Sequence, residues 1–323
     1  MHFSKLQHAA IGLFAAAIVS AAAQDLTPNA IYYGDYNSTN STTLLRIGNG
    51  GAGQSGLVKG KPTLADAFIN DSVANGTDPF SVAWITSDTT YSIQYLKTGQ
   101  VDVGITYSPS AEAIAIAQGT AKSPAHYAFR DHFLIAGPAS NPANLPADSN
   151  MTATLELMSA LHAAAVNATE IGAAAAPVRF LSRYDKSATN IKESSLWLGI
   201  GQVPWATAYS TWYHQYIAYP VQALEAAVAL AEYTLTDRGT WLSLPAEATE
   251  AFRIYKASGD DEDDELLNPA HLLVGEKARY PDVAQAFAEW LVGPRGQAMV
   301  TGFEKAGQRL YSGAPQEGPK QVS

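Results

Sequence analysis

The sequence predicts an α/β fold. Short apolar segments typical of buried strands alternate along the chain with segments of helical periodicity, and the turns between them are rich in glycine and hydroxyl side chains. The chain has 323 residues, of which 47% are hydrophobic and 15% charged, so it is long enough for two domains with cores of their own. It contains no cysteine, which excludes disulfide and thiol chemistry.

Hydrophobic periodicity places the expected elements along the chain. Strands are predicted at 44–47, 80–85, 101–106, 133–136 and 178–181. Helices are predicted at 64–69, 91–97, 152–166, 221–233 and 281–291, with another beginning within 182–189. Residues 48–56 are interpreted as a glycine-rich loop and 234–239 as a turn. The acidic run 260–265 lacks the spacing of an EF-hand, so we interpret it as a solvated loop rather than a calcium site.

The net charge of −10 limits the classes of partner. An acidic chain without a basic stripe argues against binding to nucleic acid or to anionic membranes. It leaves an anionic ligand possible, because backbone N–H groups and hydroxyls can hold an oxyanion without a positive net charge.

The N-terminus has the pattern of a secretory signal peptide. Lys5 precedes an apolar run at 9–19, and the small residues at 20–23 are typical of a cleavage site. The run is too short to cross a bilayer, so no membrane insertion is expected, and a buried N-terminal helix is the alternative. We therefore predict a signal peptide at 1–23, a polar glycosylated leader at 24–43, and a secreted protein that is extracellular or associated with the cell wall.

Acceptor sequences for N-glycosylation support the secretory route. Six Asn-x-Ser/Thr sequons occur in the chain. Their asparagines, the predicted glycosylation sites, are Asn37, Asn40, Asn70, Asn75, Asn150 and Asn167.

Three turns carry the candidate ligand-binding residues. Each places hydroxyls or glycines where a predicted strand gives way to a helix, and ligands of open α/β sheets bind beyond the carboxyl ends of strands. Only the third turn contains a fixed cation, Arg183, whose planar fork suits a tetrahedral dianion. The alternative is that the hydroxyls only cap helices. The candidates are Asn49, Gly50, Gly51, Ser55, Thr89, Ser182, Arg183, Ser187 and Thr189.

Motifs for cofactor or catalytic chemistry are weak. Gly48, Gly50 and Gly53 match the spacing of a dinucleotide fingerprint, but a secreted protein meets little nicotinamide cofactor. The segment after Gly53 lacks the closing glycine of a nucleophile elbow, because Leu57 stands there. The histidines are too dispersed to form a metal-ligand pattern. We expect no catalytic residue, no metal and no cofactor.

Three segments of the chain resemble those of a known family. Residues 180–189 read FLSRYDKSAT, residues 233–241 read YTLTDRGTW, and residues 131–138 read DHFLIAGP. In this order they are similar to segments of bacterial tungstate-binding proteins, the receptors of tungstate ABC importers, which have the type II periplasmic binding fold. The resemblance covers most of 44–311. It departs in the first loop, where the family has threonine and serine and this chain has glycines, whose backbone N–H groups replace hydroxyl donors.

The resemblance implies two α/β lobes joined by two crossovers, with the ligand in the cleft between them. Lobe 1 would comprise 44–127 and 238–312, lobe 2 would comprise 128–237, and 313–323 would be a flexible tail. Closure of the lobes around the anion is the expected motion.

The implied function is capture of a small tetrahedral oxyanion, tungstate or molybdate, by a monomer that catalyses nothing; whether a membrane transporter is its partner stays open. Both ions are fully deprotonated near neutral pH, whereas hydrogen phosphate wants a carboxylate acceptor. If Asp185 pairs with Arg183 or caps its helix, the site favours the deprotonated ions. One alternative is an interaction module with a decayed ligand site. The other is a serine hydrolase that uses Ser55 or Ser187.

Overall fold

The computed structural model describes residues 26–36, 41–58, 63–146, 153–171 and 177–315. The predicted signal peptide and the sequons at Asn37, Asn40 and Asn150 lie outside the described residues. No helix in the described part of the chain is both long and apolar enough to span a bilayer.

The described residues form strands and helices that alternate along most of the chain. The strands are β1 (Ala30–Tyr32), β2 (Thr43–Asn49), β3 (Ser81–Thr86), β4 (Val103–Thr106), β5 (His126–Pro138), β6 (Phe180–Ser182), β7 (Tyr213–Gln215), β8 (Tyr233–Asp237), β9 (Phe252–Ala257), β10 (Leu267–Val274), β11 (Glu304–Lys305), β12 (Gln308–Arg309) and β13 (Ser312–Gly313). The helices are α1 (Gly51–Ser55), α2 (Leu64–Ala74), α3 (Thr89–Thr98), α4 (Pro109–Ala117), α5 (Thr154–Ile171), α6 (Ala188–Gly199), α7 (Pro220–Leu230), α8 (Arg238–Trp241), α9 (Ala246–Ala251), α10 (Pro281–Val292) and α11 (Pro294–Thr301). The predicted α/β class is confirmed.

One mixed sheet runs through the molecule, and its longest strand, β5, belongs to both ends of it. The strand order is β1-β3-β2-β4-β10-β5-β8-β6-β7, with β9 and β13 also paired to β5. Residues 126–132 of β5 pair with β10, whereas 133–138 pair with β8 and β9. We call β1–β4, β10 and β13 the first half of the sheet, β6–β9 the second half, and β5 the hinge strand.

Separate hydrophobic clusters pack against the two halves. In the first half, Phe68, Trp84 and Phe287 belong to a cluster that extends onto the hinge strand at Phe129. In the second half, the clusters contain Trp197, Tyr233 and Tyr255 in one and Leu134 and Phe252 in the other. Each half therefore buries apolar surface of its own, as expected of two lobes.

Two sequence interpretations are corrected by the sheet. Residues 234–239 are not simply a turn, because Tyr233–Asp237 is strand β8, paired antiparallel to the hinge strand and parallel to β6. The glycine-rich loop contains a short helix, α1, because Gly53 has no side chain and lets this turn pack directly onto the Trp84 ring. The acidic run 260–265 is a loop with mostly exposed side chains, as predicted.

The segment boundaries also differ from those predicted. Part of the expected leader forms β1, which pairs with β3 at the edge of the sheet. The chain does not return to the first half at residue 238, because β9 still pairs with residues 134–138 of the hinge strand. The return occurs in 258–266, between β9 and β10. At the C-terminus, Ser312–Gly313 pairs with the hinge strand as β13.

Candidate ligand-binding cleft

A cavity of about 640 Å³ lies between the two halves, with the hinge strand at its floor. Gly50, Gly51, Gln54, Thr86, Ser87, Asp88, Thr89, Tyr91, Tyr95 and Tyr107 line it from the first half. Arg183, Asp185, Ser187, Ala188, Thr189, Ile217, Ala218, Tyr219, Pro220 and Gln222 line it from the second. Asp131, Phe133, Asp237 and Asn268 line it near the hinge strand.

The first turns of several helices point at this cavity. Helices α3 and α6 begin at Thr89 and Ala188, both of which line it, and the short helix α1 begins at Gly51. The first N–H groups of a helix have no partner within the helix and carry partial positive charge. Side chains already accept from some of these groups, such as the N–H of Gly53, Tyr91 and Asn190, so the others at these helix starts are the backbone donors suited to an anion.

Arg183 is the one cationic side chain among the residues that line the described cavity. It is 9% exposed. Its Nε donates to the carbonyl of Ala218 at 3.2 Å, Nη1 to the Thr189 hydroxyl at 3.3 Å, and Nη2 to a carboxylate oxygen of Asp185 at 2.5 Å. A guanidinium has five N–H donors, so these described contacts leave two for a ligand.

Asp185 and Ser187 hold the turn that carries Arg183. The second Asp185 oxygen accepts from the Ser187 backbone N–H at 2.9 Å and from its hydroxyl at 2.5 Å. The cap of α6 is Ser187, whose hydroxyl oxygen accepts from the Asn190 N–H. Asp185 is thus committed to Arg183 and to the turn, which is the first of the two arrangements predicted to favour a deprotonated ion.

Thr89 offers an unused hydroxyl in the same cavity. The residue is only 3% exposed, and its Oγ1 has no hydrogen-bond partner among the described residues. A buried hydroxyl without a partner costs free energy, so the Thr89 hydroxyl, which is shielded from solvent, would gain from a ligand oxygen brought within its reach. The neighbouring Asp88 caps α3 by accepting from the Tyr91 N–H at 2.7 Å.

Six of the nine predicted ligand-binding residues line the cavity: Gly50, Gly51, Thr89, Arg183, Ser187 and Thr189. The other three lie behind its walls, where their side chains are used internally. Asn49 is fully buried, donates to the Ile105 carbonyl and accepts from the Gly53 N–H. The Ser55 hydroxyl contacts the Tyr311 hydroxyl at 2.6 Å and donates to the Ala52 carbonyl.

Ser182 is the third residue behind the wall. Its hydroxyl accepts from the Tyr184 N–H and lies 2.9 Å from the Tyr213 hydroxyl, which in turn lies 2.7 Å from a Glu193 oxygen. Burial raises the pKa of Glu193 to about 7, although the hydrogen bonds from Tyr213, Ser182 and Trp197 oppose the shift. Ser182 therefore supports the shape of the second half from beneath the Arg183 turn.

The halves already touch at the mouth of the cleft. The Thr90 hydroxyl, at the start of α3, donates to the Lys186 carbonyl at 3.1 Å. The Lys186 ammonium lies 5.5 Å from the centre of the Tyr91 ring, a cation–π distance. These contacts join the first half to the Arg183 turn of the second.

Gly50 is required where the turn at 49–55 meets the turn at 86–90. A Cβ at this position would overlap the carbonyl oxygen of Ser87, whereas one on Gly51 would meet the Tyr107 hydroxyl at an ordinary 3.6 Å. We expect Gly50→Ala to lower the free energy of unfolding by about 1–3 kcal/mol, because the two turns must separate. Urea denaturation of Gly50→Ala beside Gly51→Ala measures this. Equal stability of the two variants would contradict the close approach.

Alternative chemistries gain no support from the described residues. No group of three or more His, Cys, Asp or Glu side chains among them could hold a metal ion. The Ser55 and Ser187 hydroxyls have tyrosine, carboxylate and backbone partners, and no histidine among the contacts described above. His132 points toward Asp260, and its Nε2 lies 2.7 Å from an Asp260 carboxylate oxygen.

Sequence reasoning missed the carboxyl groups of the floor. Asp131 lies on the hinge strand and Asp237 ends β8, and the register places Asp237 opposite Phe133, two residues from Asp131. Asn268 on β10 donates to Asp131 at 3.0 Å. The signal was present, since both Asp131 and Asp237 stand within the family-like segments, but only pairing across the sheet brings them together.

Comparison with known proteins agrees with the resemblance. The family model described as "PBP superfamily domain" matches residues 37–295 of this chain. A solved structure described as a "periplasmic putative metal binding protein" is 56% identical, covers 89% of this chain and 100% of its own, and has a TM-score of 0.79.

Two curated relatives have anion-related names. The "Putative ABC transporter anion-binding protein" of Haloferax volcanii is 28% identical over 234 residues, 71% of this chain and 62% of the relative, so the match leaves more than a third of that protein uncovered. The tungstate-binding protein TupA of Peptoclostridium acidaminophilum is 26% identical over 229 residues, 68% of this chain and 71% of its own. With most of its length matched by the family model, and with the strand order and interlobe cleft described above, this chain belongs to the PBP superfamily.

Proposed function

We propose that this protein is a solute-binding protein that captures a small tetrahedral oxyanion, with tungstate and molybdate the favoured ligands. The observation that carries the proposal is that two residues with unused donors line the same cavity: Arg183, with two N–H groups left over, and Thr89, whose hydroxyl has no described partner. The helix N-termini around them add backbone donors. The names of the anion-binding and tungstate-binding relatives point to the same class of ligand.

The Arg183 turn itself favours a fully deprotonated ion over hydrogen phosphate, although Asp131 and Asp237 are further carboxyl groups on the same lining. A phosphate proton needs an acceptor, and both oxygens of Asp185 are already hydrogen-bonded, one to Arg183 and the other to Ser187. Asp88 is engaged at the start of α3. The donors that remain suit an ion with four acceptor oxygens.

The cavity is larger than such an ion. If each of four oxygens takes the volume of one liquid water, about 30 Å³, the anion fills only a fraction of the 640 Å³. Ordered water, or further closure of the two halves about the hinge strand, supplies the remaining hydrogen-bond partners of the anion.

A ligand panel tests the proposal. We expect the mature chain to bind tungstate and molybdate near neutral pH, measured by calorimetry and by a rise in melting temperature, because a ligand that binds only the folded state stabilises it. Sulfate and phosphate in the same buffer are the controls, and we expect weaker binding of phosphate. Absence of binding by all four anions would refute the oxyanion proposal and favour an interaction module.

We further propose that the chain is secreted and glycosylated, as the signal-like N-terminus and the sequons indicate. Among the sequons within the described residues, the Asn75 and Asn167 side chains are exposed. Asn70 is half-buried, and its amide nitrogen donates to Asp35 at 3.0 Å; a glycan on this nitrogen would leave it one N–H and would have to fit beside Asp35. The proposed partner is the anion itself, bound by a monomer.

A further inference from the structure

The ionisable side chains that line the cleft are mostly acidic. The ionisable carboxyl groups on the described lining are Asp88, Asp131, Asp185 and Asp237, and they face one guanidinium, Arg183. Asp185 is paired with Arg183, whereas Asp88 and Asp237 cap helices by accepting backbone N–H groups. A dianion entering this cavity gains most if one of the remaining carboxyl groups is neutral.

Asp131 is the group whose surroundings most favour the neutral form. Burial also raises the pKa of Asp88, but backbone N–H groups at the start of α3 oppose the rise. It is 5% exposed, and its recorded contacts are with neutral donors, the His132 N–H at 2.8 Å and the Asn268 amide at 3.0 Å. Asn268 is itself buried, and its Oδ1 has no partner among the described residues. Asn268 now turns its amide nitrogen toward Asp131. If this amide turns over, its oxygen can accept from a protonated Asp131, whereas a carboxylate has no proton to donate.

The groups around Asp131 act in opposite directions, and those that raise its pKa prevail. Burial raises the pKa of Asp131 to about 8, and the negative charge of Asp237 adds to the rise. Arg238 at the start of α8 opposes it, as do the hydrogen bonds from His132 and Asn268.

Other titratable groups face Asp131 from the elements packed around it. The Tyr107 hydroxyl, after β4, and the Tyr311 hydroxyl, before β13, both have pKa values raised chiefly by burial. On the hinge strand, His132 and Arg130 contact Asp260, and burial lowers the pKa of His132. Of these groups, Asp131 is the one whose pKa is brought to about 8 by burial.

We propose that Asp131 is protonated when an oxyanion occupies the cleft, so that anion binding takes up a proton and weakens as the pH rises above neutral. The inference rests on the proposed function, because it assigns a regulatory group to the same cleft. It requires no direct contact with the ligand: a negative charge in the cavity disfavours a second one on its floor.

Calorimetry between pH 7 and pH 9 tests the coupling, since tungstate and molybdate keep the same charge over this range. We expect the molybdate affinity of the wild type to fall about tenfold from pH 7 to pH 9. At pH 9 the heat of binding in two buffers of different ionisation enthalpy, neither containing an oxyanion, should report uptake of nearly one proton per anion. This measurement needs no variant.

Asp131→Asn tests the assignment to this residue. The introduced amide can keep the bond from the His132 N–H and can donate to Asn268 Oδ1 once the Asn268 amide turns over. The ratio of dissociation constants between pH 9 and pH 7 should fall from about ten to about one. The control Asp282→Asn removes one charge from an exposed position on α10 and should keep the wild-type ratio.

The outcomes separate the two proposals. Wild-type binding with the same affinity at both pH values and without proton uptake refutes the role of Asp131 while leaving the oxyanion receptor standing. A pH dependence that persists in Asp131→Asn also refutes it. Failure of the wild type to bind any anion refutes the proposed function, and the Asp131 inference with it.

Discussion

Replacing Arg183 with alanine is expected to abolish measurable oxyanion binding, weakening the affinity by about 100-fold or more. Two effects add. The variant loses the fork that supplies charge and N–H donors to the cleft, and it leaves the Asp185 carboxylate without its cation beside the incoming anion. Calorimetric titration with tungstate and molybdate measures the loss.

Arg179→Ala is the matched control, because it removes an arginine from the same half of the molecule. The Arg179 side chain is 51% exposed and lies away from the cleft, 3.8 Å from Glu232. We expect Arg179→Ala to bind tungstate and molybdate with the affinity of the wild type. Arg183→Lys keeps the charge without the planar fork and should bind with intermediate affinity. Unchanged binding by a folded Arg183→Ala variant would remove the central residue from the proposed site.

Removing Asp102 should cause a large loss of stability. Asp102 is 1% exposed and holds the Arg46 guanidinium at 2.6 Å and 2.9 Å, as well as the backbone N–H groups of Arg46 and Arg279. Alanine at this position leaves the buried Arg46 charge without its carboxylate. We expect Asp102→Ala to lower the free energy of unfolding by about 3–5 kcal/mol, measured by urea denaturation.

The exposed ion pair between Arg295 and Asp71 provides the comparison. The Arg295 side chain is 61% exposed, and its Nε lies 3.2 Å from the Asp71 carboxylate. Arg295→Ala should change the free energy of unfolding by less than about 1 kcal/mol, because water and salt screen an exposed pair. A loss from Asp102→Ala as small as that from Arg295→Ala would show that the buried pair is not what fixes β2 against β4.

The pH dependence of folding stability follows from two buried acids. The pKa values of Glu193 and Asp131 are both raised in the folded protein, to about 7 and about 8. A raised carboxyl pKa contributes stability that is fully present below the unfolded-state value and is lost as the pH rises through the folded-state value. These two groups therefore make the ligand-free protein less stable at pH 9 than at pH 5.

Local patterns were enough to predict much of the fold and part of the cleft. The apolar segments before Asn49 and Thr86 became parallel neighbours β2 and β3, and the hydroxyl-rich turn after β6 became the start of α6. Arg183 could be singled out because only its turn, among the three candidate turns, contains a fixed cation, and because the planar guanidinium suits a tetrahedral dianion. Each of these inferences needs only residues close together in the sequence.

The remainder depends on contacts that sequence neighbours do not specify. The sequence predicts a turn at 234–239, yet Thr234 and Thr236 belong to β8 and are buried in the completed sheet, where the Thr234 hydroxyl donates to the Leu181 carbonyl. Ser182 was expected in the cleft beside Arg183, but successive side chains of an extended strand point to opposite faces. Asp131 gained its neighbours Asp237 and Asn268 only when β8 and β10 paired with the hinge strand.

The measurement that tests the oxyanion site most directly is the position of tungsten in crystals grown with tungstate, located by its anomalous scattering. We expect one strong tungsten peak in the interlobe cavity, placed so that oxygens of the anion are within hydrogen-bonding distance of the Arg183 guanidinium and the Thr89 hydroxyl. A peak found only at the outer surface, or no peak in the cleft of crystals soaked at saturating tungstate, would contradict the proposed site.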